Sequence, residues 1–441
     1  EYTFHNLSKP LRTDDKLAQA MRFLLLALVF LQPLNHVNAL RLLSLYLLLG
    51  LFCFRLIQQG RVYWAEFTDP ATLGLLALAV WAVLASVLGP YPLESLNAAR
   101  KSLMPQILLY LVVLGEFRSP RQIQQLFTVI VTSFMAVTLL SAEEILRIGV
   151  NAFNPGMISH DMFLDGYASN AGFYLPFTLL YLFSREKREY WGFPLRISAT
   201  LTLACGYIIV LLYNSRTALI AIALSSLLTP LLLKRYRLLL AVGAALLLAG
   251  GLSYYSGAEL SKYQSLLHPA TYVSNAGLSE RLSVWAGAWD VVRERFIAGY
   301  GYGWKKLAWV INDKGWIGIW EKSQRADIIA YYAPQGKAHY GRVNPHNLLL
   351  QLLFEMGLIG VLLYAQFWVQ SLKRILSGAF RRGQPYRPFL AGSLGVILSY
   401  LLLNLTNGYW EGTLANMLIV LLACTQVLAL APQRNERPVS R

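Results

Sequence analysis

The chain has 441 residues, 56% of them hydrophobic and 14% charged, with a mean hydropathy of +0.45. Soluble domains carry about 25% charged residues, so this composition excludes a soluble enzyme, a disordered chain and a coiled coil. It leaves a polytopic α-helical membrane protein. The formal net charge of +16 does not call for a nucleic-acid partner, because cytoplasmic loops of membrane proteins are rich in Lys and Arg.

A membrane-spanning helix needs ~20 mostly apolar residues. In chain order the runs that meet this pattern lie near 18–35, 37–57, 71–89, 101–117, 123–144, 167–184, 195–214, 216–233, 238–255, 346–370, 388–406 and 411–431. The expected fold is therefore all-α and polytopic, with about twelve transmembrane helices. The first run, from Leu24 to Leu34, has basic residues before it and no small-residue cleavage site after it, so it reads as a retained span rather than a signal peptide. Cys53, Cys205 and Cys424 all lie in apolar runs and read as inert, lipid-buried thiols. There is no CxxC pair and no His/Cys cluster at metal spacing, so neither a metal nor a cofactor is expected.

Charge fixes the expected orientation. Every second connection is basic: Lys9 to Arg22, Arg55 and Arg61, Arg118 and Arg121, Arg185 to Arg196, Lys234 to Arg237, Lys373 to Arg387, and the tail from Arg434 to Arg441. The positive-inside rule places these connections and both termini in the cytoplasm. Arg41, Arg100, Lys101, Arg147 and Arg216 lie in or near the poorer connections on the other side.

One outer connection is unlike the rest. Residues 256–345 form a loop of 90 residues with eleven Lys and Arg against seven Asp and Glu. A loop this long is usually functional, and a basic outer surface fits an anionic partner. The chain thus divides into N-terminal spans (1–255), a large periplasmic loop domain (256–345) and C-terminal spans (346–441). Within the loop, Leu278, Leu282, Trp285, Trp289, Val292 and Phe296 step by four and three, the period of one apolar helix stripe. Ser279 is its expected N-cap, with Glu280 in the first turn. Such a helix either lies on the bilayer or packs on the spans.

Three residues converge on the outer side. Arg216 follows Ser215, a plausible N-cap, and opens a span; a cation in the first turn opposes the helix dipole, although a snorkelling arginine could hold the same place. Arg281 lies four residues before Trp285, on the flank of the stripe, where it could equally be a solvated charge beside Glu280. His346 stands in Asn344-Pro345-His346-Asn347. Asn344 as cap and Pro345 as first helical residue put His346 in the first turn of a span. There the positive helix end favours neutral imidazole, a competent general base; a capping role is the bland alternative. Taken together, two helix N-termini attract anions and two guanidinium forks match phosphate oxygens. This constellation suits a lipid-linked pyrophosphate at the membrane surface, whose bond energy arrives with the substrate.

Other signals are weaker. Gly299, Gly301 and Gly303 do not open a helix after a strand, so they read as a turn bringing backbone close to something rather than as a nucleotide loop. Glu143, Glu144, Asp161 and Asp165 fit a solvated loop. Glu355 follows His346 by nine residues and is either functional or a helix–helix hydrogen-bond partner. The Trp and Tyr residues of 300–340 fit sugar stacking and an interfacial belt alike.

The run from His346 and Asn347 through spaced leucines to Glu355, Gly357 and Gly360 resembles a pattern of the O-antigen ligase and O-antigen polymerase superfamily. Arg281 with Trp285, the glycine-rich turn at 298–303, and Ser215-Arg216-Thr217 resemble further family features in the same order. The resemblance covers about 216–360; before that only apolar spans are shared. It implies a metal-independent, inverting glycosyltransferase of the bacterial inner membrane, without cofactor. Its donor would be a glycan on undecaprenyl pyrophosphate and, for a ligase, its acceptor the lipid A–core, with membrane lipids around it and no nucleic acid. Arg216 and Arg281 would hold the pyrophosphate, and His346 would activate the acceptor hydroxyl. His339 is a weaker supporting residue. An O-antigen polymerase, a protein O-oligosaccharyltransferase and, in a different class, a flippase of lipid-linked sugars remain open.

Overall fold

The computed structural model describes residues 16–150, 152–153, 155–183, 193–213, 215–255, 281–336, 341 and 343–435. Among these, all regular structure is helical. The N-terminal helices are α1 (Lys16–Leu31), α2 (Asn38–Phe67), α3 (Pro70–Leu88), α4 (Pro92–Glu116), α5 (Pro120–Ile148), α6 (Tyr167–Phe183), α7 (Phe193–Leu212), α8 (Arg216–Leu232) and α9 (Tyr236–Tyr255). The loop contributes α10 (Arg281–Glu294), α11 (Leu307–Asp313), α12 (Trp316–Lys322) and α13 (Ala326–Gly336). Then follow α14 (Leu348–Phe380), α15 (Arg387–Leu403) and α16 (Gly412–Asn435).

Helix limits follow local chemistry. Asp69 accepts hydrogen bonds from Ala71 N and Thr72 N, and Pro70 opens α3. Ser119 and Gln122 form a reciprocal capping box at α5, again with proline first. In each case a side chain satisfies amides that have no partner inside the helix, and the proline has none to offer.

Each of the twelve expected runs coincides with one helix. Among the described residues, five segments are long and apolar enough to cross a membrane: Asn38–Gly60, Pro70–Leu88, Pro120–Ile148, Leu348–Phe380 and Gly412–Leu430. Arg196–Leu212, Arg216–Leu232, Tyr236–Leu248 and Arg387–Leu403 are further apolar helical stretches. The chain is an all-α, polytopic membrane protein, and five of the twelve expected crossings meet both length and composition among the described residues. Three of the others differ for local reasons. Helix α1 has 16 residues and α6 has 17, short of the ~20 that a bilayer requires, and α4 carries Arg100, Lys101 and an internal Pro105.

Helices α3 and α14 pack against each other antiparallel. Asp69 pairs with Arg374 at one end. A Cβ on Gly74 would lie 3.3 Å from the Phe367 backbone, and the Trp81 indole donates to Met356 O at 2.8 Å. Helix α14 is broken at Gly357 (φ 63°, ψ −167°). Beyond that break its first turns face the loop helices, which pack round Val284, Ile311, Trp320 and Tyr332 and are closed by Leu353 and Phe354.

Candidate active site

Chain entry into α14 sets the position of the imidazole. Asn347 is the N-cap, accepting from Leu350 N at 3.1 Å. The expected cap at Asn344 is therefore corrected by three residues, Pro345 is not the first helical residue, and His346 stands just outside the helix. The reason is local. Asn344 Oδ1 is used two residues on by His346 N at 2.7 Å, an Asx turn, which leaves the capping role to the next asparagine. His346 adopts φ 49°, a left-handed conformation that histidine visits more readily than most residues. Its carbonyl accepts the Trp285 indole N–H at 3.2 Å, and its ring lies near the Asn407 side chain. Burial pushes the imidazole down to about 4; the neighbouring Arg281 charge adds to this and the polar Asn407 side chain opposes it. Neutral imidazole thus dominates at neutral pH, as the sequence predicted, but desolvation comes first among the causes rather than the helix end.

Arg281 opens α10. It is half-buried, and its guanidinium lies within electrostatic reach of His346, Tyr331 and Tyr409. Burial lowers its proton affinity, yet a guanidinium stays charged at any ordinary pH. The helix is amphipathic, but its buried face is not the expected one. Ser283, Val284, Gly287, Ala288, Val291 and Val292 are buried; of the expected stripe Val292 is thus inside, whereas Leu282 and Trp289 are exposed. Small residues win that face because α13 comes too close for large ones: a Cβ on Gly287 would lie 2.4 Å from the Tyr332 ring. The Ser279 and Glu280 start signal and His339 lie outside the described residues.

Arg216 is the first residue of α8. Ser215 occupies the N-cap position without a side-chain capping bond. The next residue, Thr217, shares a 3.0 Å hydroxyl bond with Thr406. Asn407 Nδ2 donates to Thr406 Oγ1 at 3.4 Å and to Leu403 O at 3.2 Å. The 404–411 segment also bonds α14 directly, through Leu348 N to Asn404 O and Asn347 Nδ2 to Leu405 O. Arg281 and His346 are therefore direct electrostatic neighbours. The N-terminal end of α8 reaches the same loop, by way of Thr217, Thr406 and Asn407.

Sequence reasoning missed Asn407 and Tyr409. The available signal was the polar break Asn404-Leu405-Thr406-Asn407-Gly408 between two apolar runs, which length alone classed as a short connection. It also counted Lys306 only as a loop charge. Lys306 is 1% exposed, and its ammonium donates to the carbonyls of Gly301, Tyr302 and Gly303. Glu355 is fully buried and accepts from Gln351 Nε2 at 2.8 Å. The acidic residues at the end of α5 and in the connection after it bond locally: Glu143 pairs with Arg147, Glu144 accepts from Phe163 N and Leu164 N, and Asp165 pairs with His160. Among the described residues, no cluster of three or more His, Cys, Asp or Glu side chains is arranged to hold a metal ion. All three cysteines are free; Cys424 is buried, whereas Cys53 is exposed on α2.

Fold and site together define a multi-pass helical membrane protein with a basic, imidazole-bearing site at one end of its bundle. Residues 201–365 match the family model described as O-Antigen ligase, and this match supports placing the chain in the O-antigen ligase superfamily. The matched stretch contains Arg216, Arg281 and His346. A search of curated proteins gives no match.

Proposed function

We propose that the protein is a membrane-embedded glycosyltransferase that moves an O-antigen glycan from undecaprenyl pyrophosphate to the lipid A–core, on the periplasmic side of the bacterial inner membrane. The observation that carries this reading is the pairing of a neutral, half-buried His346 with the Arg281 guanidinium, inside the segment that matches the O-antigen ligase family. Arg281 and Arg216 take the diphosphate oxygens. The α8 end, whose first amides have no partner within the helix, adds donors of the kind that attract anions.

The reaction is a single displacement. The acceptor hydroxyl oxygen attacks the anomeric carbon while the bond from that carbon to the diphosphate oxygen breaks, and the configuration inverts. The hydroxyl proton passes to a ring nitrogen of His346. The lipid diphosphate leaves with the electron pair, and the guanidinium groups stabilise the charge it gains. The substrate carries its own bond energy, so positioning and electrostatics supply the rate.

The test offers purified protein in detergent a lipid-linked glycan, together with either core lipid or a second lipid-linked glycan. Glycosylated core lipid supports ligation. A lengthened lipid-linked glycan identifies a polymerase, and transfer to added protein an oligosaccharyltransferase. With no sealed membrane present, a flippase yields no product.

A further inference from the structure

Lys306 is a cation inside the fold, and its partners are unusual. Three successive carbonyls, of Gly301, Tyr302 and Gly303, converge on Nζ at 2.6–2.7 Å. Carbonyl dipoles aimed at one point repel one another unless a cation sits there, as in the carbonyl rings that coordinate ions. The turn holds a second uncommon feature. Gly299, Gly301 and Gly303 all have positive φ, which other residues adopt only with strain. Burying an ammonium costs several kcal/mol by itself. The three carbonyl oxygens ligate it, and Glu355, Glu411 and Glu94 lie within electrostatic reach.

The turn locks one helix onto another. Tyr300 N donates to Phe354 O at 2.7 Å, Leu358 N to Phe296 O at 2.8 Å and Ile359 N to Ile297 O at 3.4 Å. These bonds take up backbone groups around the break in α14. The fit leaves no slack, since a Cβ on Gly299 would lie 2.6 Å from Gly357 N. At the other end of α10, Trp285 is tied to the carbonyl of His346. Phe296 meets Leu358 at one end and Trp285 meets His346 at the other. The two stretches therefore run parallel and are pinned at both ends. A shift of the turn therefore moves Arg281 relative to His346.

We infer that Lys306 is a positioning residue for glycan transfer: its ammonium builds the glycine turn that seats α10 on α14 and thereby sets Arg281 beside His346. This rests on the reading of Arg281 as a diphosphate ligand. With the ammonium gone, the turn loses the charge that gathers its carbonyls, and Arg281 no longer meets the diphosphate at the same place.

The test is a double-mutant cycle on the full chain in detergent, comparing Lys306→Met, Arg281→Ala and the double variant, with kcat and KM for the lipid-linked donor. Lys306→Met keeps the side-chain length and is expected to lower kcat/KM for the donor at least ~10-fold, while KM for the acceptor stays within ~2-fold. Residues acting through one another are non-additive, so adding Lys306→Met to Arg281→Ala should cost less than ~3-fold further. A general loss of stability would leave the two losses multiplicative. Parental kcat/KM in Lys306→Met, or the full Lys306→Met loss on top of Arg281→Ala, overturns the inference. Should Lys306→Met not be recovered folded, Gly301→Ala enters the same cycle. Its Cβ would meet Ser95 Oγ at 2.7 Å, which displaces the turn without unpairing a buried charge. No product from the parent protein removes the glycosyltransferase reading and this inference together, whereas product from the parent with an unaltered Lys306→Met removes the inference alone.

Discussion

Trp285 donates its indole N–H to the backbone carbonyl of His346 at 3.2 Å. The helix that carries Arg281 is thereby tied to the main chain of the histidine and not to its ring. The ring's protonation is governed by burial first and by the neighbouring Arg281 charge second. Trp285 and Arg281 lie on one helix, and substitutions can test anchoring and charge separately.

His346→Ala is expected to lower glycan transfer at least ~100-fold, the lower end for loss of a general base, with helical content and detergent elution unchanged. The pH profile is more specific. Burial and Arg281 push the imidazole down to about 4, so the base form is populated above that value and lost as pH falls through it. A glycosyl diphosphate esterified at both ends holds no proton that titrates in this range. The acid limb of kcat/KM, which reports the free enzyme, should therefore fall well below pH 6.5. A limb at 6.5 or above would contradict a buried neutral base.

Arg281→Ala is expected to cost at least ~100-fold in kcat/KM, and Arg281→Lys to recover little, because an ammonium lacks the planar fork that matches two phosphate oxygens. The variant should also move the acid limb. Arg281 disfavours imidazolium, so its removal raises the imidazole toward its ordinary value. Burial is the larger cause and remains, so the limb should stay below pH 6.5. Rate against pH for both proteins, each at saturating acceptor, reads the difference. An unmoved limb would separate Arg281 from His346.

The helices were legible in the sequence because apolar runs bounded by proline and capping residues announce themselves. All twelve expected runs coincide with helices, from α1 to α9 and α14 to α16. The faces were less legible. The four-three pattern of Leu282, Trp285 and Trp289 marks an amphipathic helix, but hydrophobicity does not say whether large or small residues meet the neighbour. Gly287 against Tyr332 decided that, and it is a contact between residues 45 apart. The capping asparagine of α14 was misplaced for a related reason, since Asn344 and Asn347 carry the same chemistry and only the turn geometry distributes it. Asn407 was illegible because His346, which it approaches, lies far away in the chain; Lys306 bonds carbonyls only a few residues back, but nothing in a surface-type residue announces that the turn buries it.

Transfer is expected to persist in excess EDTA. In the proposed site the charge that a divalent ion would supply comes from guanidinium groups, and the proton acceptor is an imidazole already neutral at working pH. Product formation measured before and after chelation, then with Mg²⁺ or Mn²⁺ restored, checks this. Activity abolished by EDTA and regained with either ion would show that the arginines do not suffice.

Gly357 is expected to resist substitution while Gly243 accepts it. At Gly357 the backbone has φ 63° and a Cβ would lie 2.2 Å from Ile297 O and 2.6 Å from Ala298 N. Both neighbours are main-chain atoms, and Ile297 O already accepts from Ile359 N, so neither can move aside cheaply. Strain in such a conformation costs about 1–3 kcal/mol, before any cost of separating α10 from α14. Gly243 lies in α9 with nothing within 4 Å of its Cβ position. Alanine there should stabilise by about 0.5–1 kcal/mol, through the chain entropy that glycine loses on folding. Thermal unfolding in one detergent, followed by tryptophan fluorescence, should give a lower Tm for Gly357→Ala and an equal or higher Tm for Gly243→Ala. Because the break in α14 also seats the helix of Arg281, Gly357→Ala should lose transfer at temperatures where it is still folded, and Gly243→Ala should not. Equal behaviour of the two variants would mean that the break at Gly357 plays no part in holding the loop helices to the bundle.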